Sequence, residues 1–250
     1  SLLSLNGTAP ALNVNALTLS AAAATALNFT NDSTITLTAS STGKVAGVTK
    51  VGAGTLDLQS VASGWGSLTS IDASESTGSL KVTLGGTPTS ATTGGMTVKG
   101  GSGNDAVTLN ASIGSAQQTG GGLVTTTIDL GAGNDSLLKG TSGAVAAGAV
   151  IDAGAGSDIV SATLVNAGNA ALLNNFERIS VKGATDGGSL DATLMTTSDI
   201  TGLVVDCALS ATSSNTFTLT NIGGTTSTID VVASNTSATF AAKLAVTTGT

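Results

Sequence analysis

The sequence predicts an all-β chain wound as a parallel β-solenoid of the β-helix or β-roll kind. Three observations carry that expectation. Apolar and polar residues alternate in short runs, as in Thr34-Ile35-Thr36-Leu37-Thr38, Ser79-Leu80-Lys81-Val82-Thr83-Leu84, Phe217-Thr218-Leu219-Thr220 and Thr228-Ile229-Asp230-Val231; period two with β-branched residues is the pattern of half-buried strands. Clusters of Gly, Ser, Asn and Asp separate the runs and supply turn chemistry. A strand–glycine turn–strand unit then recurs, with Asp105, Asp135 and Asp158 set 30 and 23 residues apart, and spacings of this size fit one coil of a solenoid.

Composition agrees. A chain of 250 residues would ordinarily make one or two domains, but an elongated all-β unit can use the whole length. Apolar residues at 40% and charged residues at 9% are far from a disordered composition. Aromatics make up only 2%, with no tyrosine, so small and β-branched side chains must supply the packing. Thin, hydrogen-bonded layers suit such residues better than a large round core.

Taken in order, residues 1–93 read as a β-rich N-terminal solenoid segment. Helix signals there are thin: Ala11 to Ala26 is rich in alanine and leucine but interrupted by Thr, Asn and Ser. Gly52-Ala53-Gly54-Thr55-Leu56-Asp57 has paired glycines with its acid one position late. Trp65, between glycines, reads as a packed anchor. Thr87 to Thr93, with Pro88, forms a joint, and both Pro88 and Pro10 suit loops or strand edges. Residues 94–190 hold the acidic glycine turns, with a degenerate fourth copy at Glu177 to Gly187. Asn169 to Glu177 could form one or two helical turns. Residues 191–250 form a β-rich C-terminal segment without acidic loops, leaving room for a second β-rich lobe. There Cys207, the single cysteine, lies in the apolar run Leu203-Val204-Val205-Asp206-Cys207-Ala208-Leu209 and reads as a buried spacer. The start of the chain lacks a basic, long apolar leader, and no run reaches the roughly 18 apolar residues of a membrane helix. Membrane insertion is therefore not expected, and the chain reads as part of a longer or processed protein.

The acidic turns carry the chemistry. Gly101-Ser102-Gly103-Asn104-Asp105, Gly131-Ala132-Gly133-Asn134-Asp135 and Gly154-Ala155-Gly156-Ser157-Asp158 share one layout, with Val107, Leu137 or Val160 two residues beyond the acid. Equivalent corners of successive coils stack about 4.8 Å apart. Two stacked carboxylates at about 4 Å repel by roughly 4 kcal/mol at an effective dielectric near 20. Five carboxylates lie from Asp105 to Asp158, with only Lys99 and Lys139 nearby, in a chain of net charge −7. A Ca²⁺ ion between turns would reverse that repulsion, since it takes six to eight hard oxygens at irregular geometry. The expected ligands are the carbonyls of Gly101, Ser102 and Gly103 with Asp105, of Gly131, Ala132 and Gly133 with Asp135, and of Gly154, Ala155 and Gly156 with Asp158. Asp129 and Asp152 precede their turns by equal intervals and add a second acid, where the first copy has Lys99. Transition metals are disfavoured by the absence of histidine. Nucleic acid, which needs a basic footprint, is not an expected partner.

The stretch Gly100-Gly101-Ser102-Gly103-Asn104-Asp105-Ala106-Val107-Thr108 resembles the RTX nonapeptide at every defined position, and the other two turns lack only its first glycine. With the wide spacing, the abundance of Thr, Ala, Ser and Gly, and the phrase Asn175-Phe176-Glu177-Arg178-Ile179-Ser180-Val181, the chain is similar to the calcium-dependent S-layer proteins of Gram-negative bacteria. That resemblance covers about residues 96–190. It implies type I secretion with an uncleaved C-terminal signal and a place outside the cell, at its surface.

Catalysis has little to stand on. Without histidine there is no Ser-His-Asp triad or zinc–histidine site, and the glycine setting of the acids favours metal over acid–base work. The glycine pairs lack the helix and lysine of a phosphate loop. The expectation is a structural, non-enzymatic surface-layer subunit that folds and self-assembles with Ca²⁺, partnered by copies of itself and by cell-surface polysaccharide. An adhesin segment is the alternative, and the calcium-binding tail of a secreted enzyme a third reading.

Overall fold

The computed structural model describes residues 2–7, 14–19, 23–40, 44–60, 65, 67–85, 95–114, 116–117, 123–184, 188–205, 216–222, 228–231 and 243–248. They form a parallel β-solenoid. From residue 2 to residue 180 the chain alternates between two long parallel sheets, one strand in each per coil. The first sheet stacks β1 (Leu2–Gly7), β3 (Ala26–Asn31), β5 (Gly47–Val51), β7 (Ser70–Asp72), β9 (Thr97–Lys99), β14 (Thr127–Asp129), β17 (Val150–Asp152) and β19 (Leu173–Asn174). The second stacks β2 (Val14–Leu19), β4 (Ile35–Ser40), β6 (Leu56–Asp57), β8 (Leu80–Leu84), β10 (Ala106–Leu109), β15 (Ser136–Lys139), β18 (Ile159–Ser161), β20 (Arg178–Ser180), β22 (Gly202–Val205) and β24 (Thr228–Val231). No α-helix occurs among the described residues.

Parallel in-register pairing turns the period-two pattern into columns. Leu27, Val48, Ile71, Val98, Ile128, Ile151 and Leu173 are successive register partners in the first sheet. Val82, Val107, Leu137, Val160, Ile179 and Leu203 are their counterparts in the second. All are buried. Each such aliphatic contributes roughly 1.5–3 kcal/mol by leaving water, and like packs on like along the axis, so a core almost without aromatics is sufficient. Trp65 is buried in it as well.

Connections add a third side. β11 (Ser112–Ile113) pairs in parallel with β16 (Ala144–Val145). After β20, the strands β21 (Gly188–Asp191), β23 (Thr216–Ile222) and β25 (Lys243–Thr248) form a three-stranded parallel sheet. An antiparallel hairpin of β12 (Ala116–Gln117) and β13 (Leu123–Val124) is inserted in the coil between Asp105 and Asp135, which explains the longer of the two acid spacings. Both sheets run without a break past position 93, β7 pairing β9 and β8 pairing β10, and the second also runs past 190, β20 pairing β22, which pairs β24.

Of the two helix signals, the first resolves as strand and the second gives a single helical turn. The stretch from Ala11 to Ala26 contains β2 and the start of β3. Asn169 to Glu177 gives one 3-10 turn at Ala170–Leu172 and then β19, because pairing Leu173 to Ile151 and burying Phe176 outweighs the helix propensity of Ala-Ala-Leu-Leu. Cys207, Pro10, Pro88 and the joint from Thr87 to Thr93 lie outside the described residues.

Candidate metal centre

The corner joining the first sheet to the second is where the acidic turns lie. Register places Asp105 opposite Leu80, one step before the pair Ala106–Lys81. Leu80 follows Leu56 and Ile35 in the same column. On the other side come Asp135, Asp158 and Glu177, each one step before its paired strand. A column that is aliphatic in the early coils thus becomes a single file of acids. Asp105 is 1% exposed, and Asp135 and Asp158 are fully buried.

Each acid reaches back to the preceding coil. The backbone N–H of Leu80 donates to Asp105 Oδ1 at 2.6 Å. The N–H of Asp105 donates to Asp135 Oδ1 at 2.6 Å, and that of Asp135 to Asp158 Oδ1 at 2.6 Å. The N–H of Asp158 donates to Glu177 Oε2 at 2.8 Å. Such charge-assisted bonds are about twice as strong as neutral ones. Asp105 Oδ2 also accepts from the Gly101 N–H at 2.9 Å. Asp135 Oδ2 and Asp158 Oδ2 are buried with no hydrogen-bond partner. Burial pushes the Asp135 carboxyl up to about 8, against the N–H of Asp105, and the charges of Asp105 and Asp158 push the same way. Burial likewise raises Asp105, Asp158 and Glu177.

The glycines make the close stacking possible. Gly154 has φ +90°, and a Cβ on it would run into the carbonyl of Gly131 in the coil before. Gly131 (φ +92°) stands in the same relation to Gly101. The carbonyls of Gly101 and Gly131 accept from the N–H groups of Ala132 and Ala155 at 2.8 Å, and Gly133 N–H donates to Ala155 at 2.9 Å. Ser102 N–H donates to the Ser76 carbonyl at 2.8 Å. A Cβ on Gly133 or Gly156 would likewise run into the carbonyl of Gly103 or Gly133 in the coil before.

Asp105, Asp135 and Asp158 are therefore brought into one file, while the carbonyls of Gly101, Gly131 and Ala155 accept from backbone N–H groups of neighbouring coils. Asp129 and Asp152 are not part of the file. They form register partners on the outer side of the first sheet, in a row with Lys99 and Asp72. Asp129 is exposed, and Asp152 Oδ1 accepts from Gly154 N–H and Asn175 Nδ2. Asp152 still raises the Asp158 carboxyl through its charge. Among the described residues no three His, Cys, Asp or Glu side chains converge as a ready-made metal cluster; the acids stand in file, and any ion between them would draw its remaining oxygens from the backbone.

Glu177, as the last acid of the file, escaped the sequence reading. Its signal was present: it stands two residues before the inward Ile179, as Asp158 stands two before Val160. No known protein family, curated protein or solved structure matches the chain.

Proposed function

We propose that this chain is a structural subunit of an extracellular surface layer, rigidified along its acid file by Ca²⁺ and assembling with copies of itself. The observation that carries the reading is the pair of buried, partnerless carboxylate oxygens, Asp135 Oδ2 and Asp158 Oδ2, in a stack of in-register coils. An ionised carboxylate buried without compensation is costly. Either a proton or a cation must relieve it, and the donors are hard oxygens of the type Ca²⁺ takes.

Asp105, Asp135 and Asp158 would hold the ions, with the carbonyls of their glycine turns completing the shell. Asp129 and Asp152, on the outer face, would deepen the negative potential. Bound metal would supply positive charge that ties neighbouring coils together. The chain's own part is to fix the acids in register, exclude water from the corner and leave room for the carbonyls through glycine. Outside the corner, the described residues present repetitive strands, which supports a structural role over catalysis. The described strands stack in register along two long parallel sheets, and any edge such a sheet leaves open can pair with another copy. The RTX-like motif adds the expectation of type I secretion and a cell-surface location, with surface polysaccharide as a second partner.

Calorimetric titration of the chelated protein with Ca²⁺, read together with light scattering, tests ion and assembly at once. The reading expects saturable heat and a calcium-dependent rise in scattering that chelator reverses. Heat without scattering would leave a calcium-binding monomer and reject the layer; neither signal would reject both.

A further inference from the structure

Lys50 is the least expected buried group in the fold. Its side chain is fully buried at a register position shared with Phe29. The stem packs like its neighbours in the column, but the ammonium is held by a cage of oxygens. Nζ donates to the Gly78 carbonyl at 3.0 Å, to Ser76 Oγ, and at 3.4 Å to the Gly52 carbonyl. Ser76, 2% exposed, lies with its Oγ 2.8 Å from the Gly52 carbonyl and 3.0 Å from that of Gly78. The oxygens come from two successive turns of the corner that carries the acid file further on.

All three of these oxygens are neutral. A divalent ion calls for carboxylates in its shell, whereas a ring of carbonyls and a hydroxyl suits a single positive charge. We propose that this corner is a monovalent-cation site whose resident is the Lys50 ammonium, so that the chain supplies its own counter-ion at the N-terminal end of the acid file. The order along the corner is then ammonium, Asp105, Asp135, Asp158, Glu177. A neutral side chain at position 50 would remove the one charged donor to these oxygens, leaving them only the Ser76 hydroxyl and the Gly78 N–H. The assignment does not depend on whether divalent ions fill the acid file.

The test is Lys50→Ala, which keeps the oxygens and opens space for an external ion. Thermal unfolding of wild type and variant is followed in chelator, in chloride salts of ammonium, methylammonium, potassium and choline at one ionic strength. The wild-type midpoint should be the same in all four. The variant should unfold about 5 °C or more lower in choline and regain at least half of that loss in one of the three small cations. Equal variant midpoints in all four salts, or a variant as stable as wild type, would overturn the assignment. If Lys50→Ala does not fold, ¹⁵N-lysine NMR of the wild type near pH 6.5 decides. A single ammonium with slowly exchanging protons, lost in Lys50→Met or Lys50→Arg, is expected; a neutral amine or uniformly fast exchange would contradict it. Repeating the series with calcium separates the two readings, since an acid file that takes no calcium leaves the four-salt pattern unchanged.

Discussion

Asn134 and Asp135 pull in opposite directions along the stack. Asn134 Oδ1 accepts from the N–H of Ser157 in the next coil, while Asp135 Oδ1 accepts from the N–H of Asp105 in the coil before. Asn104 repeats the forward reach, to Asn134 N–H at 2.8 Å. Adjacent residues therefore clamp both neighbours, which is a physical reason for the Asn-Asp pairs at 104–105 and 134–135. Asp135→Asn separates hydrogen bond from charge. It keeps an Oδ1 acceptor but removes the buried negative charge. In chelator at pH 8 the variant should be at least as stable as wild type, and calcium should no longer raise its unfolding midpoint. A variant that still gains as much from calcium as wild type would remove Asp135 from the ion's shell. Glycine offers a second residue-scale test. Gly154→Ala meets both a positive φ and the Gly131 backbone, whereas Gly183 has φ +77° with nothing near its missing Cβ. Gly183→Ala should cost about 1–2 kcal/mol, the left-handed penalty alone, and Gly154→Ala clearly more in denaturant unfolding. Equal costs would mean that coil stacking does not need that glycine.

At the scale of the element, each coil is held by one strand in each sheet and by the corner between them. Leu137 is fully buried between Val107 and Val160 in its column. Leu137→Ala should therefore lose about 2–5 kcal/mol, the usual range for such truncations, measured by denaturant midpoint; a loss below 1 kcal/mol would argue against a tight column. This scale also shows what sequence can and cannot reveal. The strands and the three acidic turns were legible because alternation and glycine spacing are local signals. The inward face of Asp105, Asp135 and Asp158 follows from the same alternation through Val107, Leu137 and Val160. The outward face of Asp129 follows likewise from the inward Ile128. Lys50 is not legible, because its role appears only once distant coils are laid in register; Glu177 carries a local signal in its spacing to Ile179, but without the glycine turn that marks the other acids. At 169–177, local propensity gives the single 3-10 turn at Ala170–Leu172, and the parallel ladder takes over at Leu173.

For the whole molecule, the acid file couples stability to pH and to cations. Burial raises Asp135 from its ordinary value of 3.8 to about 8, so the folded, metal-free chain binds more protons than the unfolded one. The stability this gives is full below about pH 4 and is lost as pH rises toward 8. Asp105, Asp158 and Glu177 act in the same direction. Lys50, lowered from 10.5 to about 8 mainly by burial, has the opposite slope, but its window opens only above about pH 8. In chelator, the unfolding midpoint should therefore fall steadily between pH 4 and 8. With saturating calcium the slope should flatten or reverse, because the ion favours the charged acids. A metal-free midpoint that rises across this range would mean the acids are not buried as described.

The most direct test of the central claim, that cations sit between in-register acids, is a crystal structure of the chain grown in millimolar calcium. The account predicts ion density between the turns bearing Asp105, Asp135 and Asp158, with carboxylate and carbonyl oxygens at about 2.3–2.6 Å. Well-ordered turns with no density between those three acids would contradict it.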